Sequence, residues 1–279
     1  MNLGIARISR RTVTIAVAFA GLVSLVLGAH AALNMRSLDA AKAIATEHTG
    51  SIGNTASRVA LVIGNGHYPD ASAPLAQPIN DARGLTAALR GKGFDVDVVE
   101  DATKDDMDRA IGRLKDKIKP DTVVMLFFGG YGVQVGRESF MIPIDARIWK
   151  EADVRRDGVS IEHVLDAMTE KGAKAKLVVV DASRRNPYER RFRSYSHGLA
   201  PISVPENALI LTSATPGKVA DDGKGQYSVL VTELLNNLNS QSGAATAFNK
   251  TRISVSRASD GEQVPQVSSS LLEDVRIGG

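Results

Sequence analysis

No cysteine occurs among the 279 residues. Disulfides, thiolate metal sites and a thiol nucleophile are thereby excluded, and the absence suits an oxidising compartment. An excess of one charge is also lacking. With 34 basic and 31 acidic residues the formal net charge is +3, and nothing on that scale supplies the concentrated basic face that nucleic acid requires. There is no His-x-x-x-His spacing and no carboxylate–histidine cluster, so no metal site is expected. Gly64-Asn65-Gly66 lacks the third glycine and the lysine of a phosphate-binding loop, and no cofactor is expected. Asp105, Asp106 and Asp108 fall on a helical stretch and are expected to face solvent. Internal repeats and low-complexity blocks are missing too.

What is present suffices for one large domain and a short extra segment. The chain is 43% hydrophobic and 23% charged, near the globular norm. At the N-terminus, Arg7, Arg10 and Arg11 precede an uncharged apolar run, Val13–Ala29, which ends in the small-x-small triplet Ala29-His30-Ala31. A cleaved secretory signal has this order. An uncleaved anchor needs ~20 apolar residues, more than the 17 of Val13–Ala29, although residues 31–33 extend the run. The shortness favours cleavage, and both readings stay open. In either case the arginines remain inside and the rest is exported, to the periplasm or the extracellular space. Membrane contact is expected only through this segment. Residues 34–57 read as a tether, 58–272 as the domain and 273–279 as a tail.

Within the domain, runs of β-formers alternate with amphipathic stretches. Val59–Gly64 and Leu177–Val180 are continuously apolar, as strands buried on both faces should be, and Ala208–Thr212 is another such run. Thr122–Phe128 is the most apolar run and is predicted to be central. Phe94–Val99 alternates apolar and acidic residues, which suits a sheet edge. Helices are predicted over Asn80–Arg90, Thr103–Ile118, Ser160–Glu170, Ser228–Leu238 and Ala244–Ser256, and a hairpin over Val133–Ile142 turning near Gly136-Arg137. The alternation implies an α/β domain with a mainly parallel sheet and helices on both faces. Ligands of such sheets bind beyond the carboxyl ends of the strands. That edge carries four polar or glycine-rich loops: Gly64–Tyr68, Gly129–Gly132, Asp181–Arg184 and Ser213–Thr215.

Two of these loops carry a family likeness. Asp181-Ala182-Ser183-Arg184-Arg185-Asn186-Pro187 resembles the Asp-Ala-Cys-Arg-Asn-Asn-Pro segment of bacterial metacaspase-like cysteine peptidases, in the caspase superfamily, with serine at the nucleophile's position. Gly129-Gly130-Tyr131-Gly132-Val133-Gln134 resembles that family's Gly-His-Gly-Val-Gln, with tyrosine in place of the catalytic histidine. The first strand with Asn65, the Asn80-Asp81-Ala82 triplet, Met141–Ala146, Gly198–Ala200, Ala220–Gly223 and Gln263–Leu271 match further segments in the right order, from about Arg58 to Leu272. The resemblance implies a three-layer caspase-like sandwich. It also implies an oxyanion-binding loop at Gly130 and Gly132, and a pocket for Arg or Lys built from Asp81 and Asp181.

The substituted pair does not suit peptidase chemistry. A serine hydroxyl needs an adjacent base, and a phenol of pKa ≈ 10 is not one at neutral pH. Ser183 and Tyr131 are therefore expected to hydrogen-bond each other and close the site. His67, after the first strand, is the alternative base for a Ser183 hydroxyl; His163 falls in the first turn of a helix and His197 in a loop. Asp81 and Asp181 carry two readings. They hold a guanidinium, or Asp181 ends a strand while Asp81 caps a helix through a turn at Asn80–Ala82. The arginine run 184, 185, 190, 191 and 193 is either a solvated loop or a pseudosubstrate docked on the two aspartates. The expected function is binding, without cleavage, of an Arg- or Lys-bearing peptide or protein, an active caspase-like relative among the candidates. The alternatives are a weak serine hydrolase and a structural envelope module.

Overall fold

The apolar runs become the middle of one sheet. In the computed structural model, which describes residues 57–69, 74–188, 191, 198–220, 225–238 and 243–278, strands β1 (Arg58–Gly64), β3 (Val123–Gly129) and β7 (Ala175–Asp181) lie side by side and parallel. Outside them stand β2 (Asp95–Glu100) on one edge and β8 (Ala208–Thr212) followed by β9 (Gln266–Ser269) on the other. Only β9 runs antiparallel. β3 is fully buried and central, and β2, with its acidic alternation, is an edge strand, both as its pattern predicted.

The period of two in each strand sorts side chains into two layers. Ala60, Val62, Met125, Phe127, Leu177 and Val179 pack on one face against α1 (Pro78–Arg90), α5 (Val229–Leu238) and α6 (Ala244–Ala258). Leu61, Ile63, Leu126, Phe128, Val178 and Val180 pack on the other against α2 (Lys104–Lys117) and α4 (Ile161–Glu170). Each fully buried Leu, Ile, Val or Phe contributes about 1.5–3 kcal/mol, so a strand buried on both faces is held from both sides.

Capping follows the sequence. Thr103 accepts the Asp106 amide at 3.2 Å in a capping box that opens α2, and Ser160 accepts the His163 amide at 3.2 Å at the start of α4. A second sheet holds β4 (Gly132–Val135), β5 (Glu138–Met141) and the two-residue β6 (Val159–Ser160). β4 and β5 are the predicted hairpin, turning at Gly136 with φ +67°. Their apolar face, with Tyr68, Ile148, Val154 and Tyr188, forms a third cluster around α3 (Glu151–Asp157). Among the described residues there are six helices. Three short elements, α3, β6 and β9, were not anticipated, because segments this brief show no full period.

The C-terminal residues are part of the packing. Ala244 donates to the Val275 carbonyl at 2.7 Å, and Ile277 is buried in the first core cluster. No helix among the described residues is long and apolar enough to cross a membrane. The run Val13–Ala29 and residues 34–56 of the tether lie outside the described residues.

Candidate functional site

β1, β3 and β7 end level. Gly64 pairs with Gly129, and Gly129 with Asp181, across the sheet. Level ends bring the four expected loops together, and backbone hydrogen bonds lock them. Asn65 donates to the Gly129 carbonyl at 2.8 Å, Gly130 to Asp181 at 3.3 Å, Gly132 to Ala182 at 3.0 Å and Ser213 to Val180 at 3.0 Å. Glycine is required at the crossing points. A Cβ at Gly64 would lie 2.3 Å from the Pro78 carbonyl, and one at Gly130 would lie 2.5 Å from the Tyr68 hydroxyl.

Ser183 lies at the centre and is only 1% exposed. Its amide donates to Ser213 Oγ at 3.2 Å, and its carbonyl accepts the Ala220 amide at 2.6 Å. Among the described residues its own hydroxyl meets no hydrogen-bond partner. The expected Ser183–Tyr131 bond is therefore corrected. Tyr131 instead sets its ring edge-on against Tyr68, with centroids 4.8 Å apart, beside the apolar face of the β4–β5 hairpin. Burying the phenol ring against apolar side chains outweighs a single hydroxyl–hydroxyl contact.

The glycine loop expected to offer amides to an oxyanion has used them. Gly130 and Gly132 donate to the carbonyls of the β7 loop, and the Tyr131 amide donates to the Tyr68 hydroxyl at 3.0 Å. With the Ser183 amide on Ser213 Oγ, each of these four amides is committed to an internal acceptor instead of to a developing charge. Burial pushes the Tyr68 phenol far above its ordinary range, so it stays protonated and donates to the Ile142 carbonyl at 2.9 Å.

Asp81 and Asp181 are brought together and both are buried. Asp81 Oδ1 accepts the Ser228 amide at 2.9 Å, at the start of α5. Asp81 thus braces a different helix from its own. The turn expected at Asn80–Ala82 does not exist, because α1 already begins at Pro78, whose fixed φ suits a first helical turn. Among the described residues Asp81 Oδ2 and Asp181 Oδ2 have no hydrogen-bond partner. Burial, and then the neighbouring Asp181 charge, push the Asp81 carboxyl up to about 8.

Arg184 is the arginine of the run that reaches this pair. Its Nη1 lies 3.7 Å from Asp181 Oδ1, and donates to the carbonyls of Gly130, at 2.9 Å, and Asp181. It is 6% exposed, so the reading as a solvated loop fails for Arg184, while Arg185 is exposed as that reading expects. Arg184 serves as a tie between two loops more than as a ligand of both aspartates. Arg190 and Arg193 lie outside the described residues.

His67 does not join Ser183. Its Nδ1 sits 2.5 Å from Asp101 Oδ2, and Asp101 Oδ1 also accepts the Gly66 and His67 amides, each at 2.9 Å. Burial acts to raise the Asp101 carboxyl, yet the hydrogen bonds from His67 and Gly66 outweigh it and hold the group low. Asp101 follows β2, which stands on the far side of β1 from β3 and β7. The imidazole is therefore drawn away from Ser183 across the sheet. His163 is exposed, and His197 lies outside the described residues. Among the described residues no group of three His, Asp or Glu side chains is placed to hold a metal ion.

Sequence reasoning missed Tyr68, Ser213 and Ser228. Ser213 lay in a loop already assigned to this edge. Tyr68 likewise closes an assigned loop, Gly64–Tyr68, but neither its partner nor that of Ser228 has a local signal, since they are 63 and 147 residues away.

With this geometry in place, comparison with other proteins is informative. A family model for the caspase domain matches residues 57–276. Among curated proteins, the human mucosa-associated lymphoid tissue lymphoma translocation protein 1 is 29% identical over 133 residues, which is 47% of this chain and 16% of that protein. Its mouse homologue aligns over the same length with the same identity. The chain thus spans a small part of the curated relatives it matches. Among solved structures, that of pro-sf-caspase-1 superimposes with a TM-score of 0.60 at 16% identity, covering 82% of this chain and 93% of the other.

Proposed function

This chain belongs to the caspase-domain family, and from that premise we propose that it is a metacaspase-type domain that has lost peptide-bond cleavage and holds a basic segment of a peptide or protein in the old cleft. The observation that carries the reading is Ser183: a buried hydroxyl with no hydrogen-bond partner among the described residues, surrounded by amides already committed to internal acceptors. A nucleophile needs a base within about 3 Å and donors waiting for the oxyanion. Neither Tyr131 nor His67 is in the position of such a base. Loss of a nucleophile and base that act as a unit removes on the order of 10⁶ in turnover in a serine protease.

The acidic pair supports the binding half of the reading. Two buried carboxyl oxygens that meet no donor among the described residues, one each on Asp81 and Asp181, are a site where a guanidinium or ammonium gains charge-assisted hydrogen bonds once the pair is ionised. The basic segment could be carried by a free peptide or by a caspase-like partner that the domain regulates. The apolar run near the N-terminus supports export of the domain.

Purified protein is to be given Arg- and Lys-ended fluorogenic peptides. The expected result is no turnover beyond that of Ser183→Ala, together with saturable binding of an Arg-ended peptide that is lost in Asp181→Asn. Turnover that disappears in Ser183→Ala would establish a serine hydrolase instead. The double reversion Tyr131→His with Ser183→Cys asks what the cleft retains. Cleavage after Arg is expected to reappear once imidazole and thiol return; continued silence would show that the committed amides alone disable it.

A further inference from the structure

Arg191 comes from the arginine run after Ser183, but it docks away from the two aspartates. Its guanidinium carbon stands 4.5 Å from the centre of the Trp149 ring and 5.5 Å from that of Tyr188, and its Nη1 donates to the Ile148 carbonyl at 2.6 Å. The backbone that carries each ring is tied down by groups other than the arginine. The Trp149 amide is fixed on Asp153 Oδ2 at 3.0 Å, at the start of α3, and the Tyr188 amide on Asn186 Oδ1 at 2.9 Å. Tyr188 is buried, whereas Trp149 is 68% exposed. An exposed tryptophan, a buried tyrosine and a carbonyl acceptor around one guanidinium suit a planar cation. The ring faces attract the positive charge, while the fork donates in its own plane. An ammonium, being a compact point charge, satisfies these contacts less well.

We propose that Trp149, Tyr188 and the Ile148 carbonyl form a guanidinium-binding site that Arg191 occupies in cis, and that an arginine-bearing peptide from another molecule binds there by displacing it. This goes beyond the acid-pair reading and stands without it, since neither Asp81 nor Asp181 contributes. A tethered side chain competes at an effective concentration on the order of millimolar. The site is therefore masked toward weak ligands and opens to those that outbid Arg191.

Trp149 is the single tryptophan, so its emission reports the site alone. The full chain, Arg191→Ala and Arg191→Gln are each titrated with the N-acetylated tripeptide amides Gly-Arg-Gly and Gly-Lys-Gly. The glutamine variant keeps most of the stem and provides a folded protein should the alanine variant be unstable. Half-saturation by Gly-Arg-Gly is expected to fall roughly tenfold in the variants, as removal of an internal competitor at about 1 mM gives for a site with an intrinsic Kd of about 0.1 mM, and Gly-Lys-Gly is expected to bind several-fold more weakly. Asp81→Asn added to the variant is expected to leave half-saturation unchanged. Equal half-saturation with and without Arg191, no saturable change, equal response to the two peptides, or loss of binding with Asp81→Asn would each overturn the proposal. The last outcome would assign the peptide to the acid pair, so this inference and the cleft-binding proposal fail separately.

Discussion

The Tyr68 hydroxyl accepts the Tyr131 amide at 3.0 Å while the two rings meet edge to face with centroids 4.8 Å apart. One side chain thus occupies both what the glycine loop would offer a substrate and what the ring at position 131 would do. The same hydroxyl donates to the Ile142 carbonyl at 2.9 Å and presses against Gly130. Tyr131 and Tyr68 together form an aromatic plug beside the glycine loop.

Tyr68→Phe tests the plug. The ring contact survives, but the Tyr131 amide and the Ile142 carbonyl lose a partner in a buried place. The expected destabilisation is about 1–3 kcal/mol, read as a lower midpoint in urea with unchanged m-value. A variant as stable as the parent would mean that water or another group replaces the hydroxyl at no cost.

Ser183→Ala is expected to behave in the opposite way to a core truncation. The hydroxyl is buried and has no partner among the described residues, and removing such a group is neutral or stabilising by up to about 1 kcal/mol. Thermal melts of the two proteins check this. A clear drop in Tm would reveal a hydrogen bond to Ser183 Oγ and undercut the reading of the site as idle.

Asp81 makes stability depend on pH. Its carboxyl is pushed up to about 8 by burial and then by Asp181. The folded protein therefore keeps a proton that the unfolded chain sheds near pH 4. The contribution is fully present below that value and is lost as pH rises through about 8. Asp81→Asn keeps the oxygen that accepts the Ser228 amide, but carries no charge. It is expected to melt close to the parent at pH 5 and to exceed it by on the order of 2–4 kcal/mol at pH 8.5. The same proton opposes a cation, so affinity for an Arg-ended peptide is expected to rise between pH 6 and pH 9, by at most about tenfold per pH unit. A flat stability difference across this range would remove the buried acid from the account.

Gly132→Ala probes the lock between loops. A Cβ there would stand 2.6 Å from Leu199 Cδ2 and 2.8 Å from the Ala182 carbonyl. The leucine tip can move but the carbonyl belongs to the backbone that the Gly132 amide binds. The expected loss is about 1–3 kcal/mol, as for an overpacked core. Gly93→Ala is the contrast: its φ of +81° strains any side chain, yet nothing lies within 4 Å, and about 1 kcal/mol is expected. Denaturant midpoints rank the two, and a reversed order would show that the loops are loosely packed.

The sequence by itself determined the layers and the edge. Continuous apolar runs such as Thr122–Phe128, and helical stripes such as Met107, Ile111 and Leu114, are best satisfied by a sheet covered on both faces, and those signals are local. It also determined that residues 131 and 183 carry no thiol and no imidazole. The short elements α3 and β9 escaped because they are held by contacts, not by periodicity. Only the tertiary structure decided what Ser183, Asp81, His67 and Arg191 meet. The Asp81–Ser228 bond spans 147 residues and the His67–Asp101 bond 34. No pattern encodes such pairings, because a side chain's partner is set by where the sheet ends bring distant loops and by which buried polar atoms are left to be satisfied there.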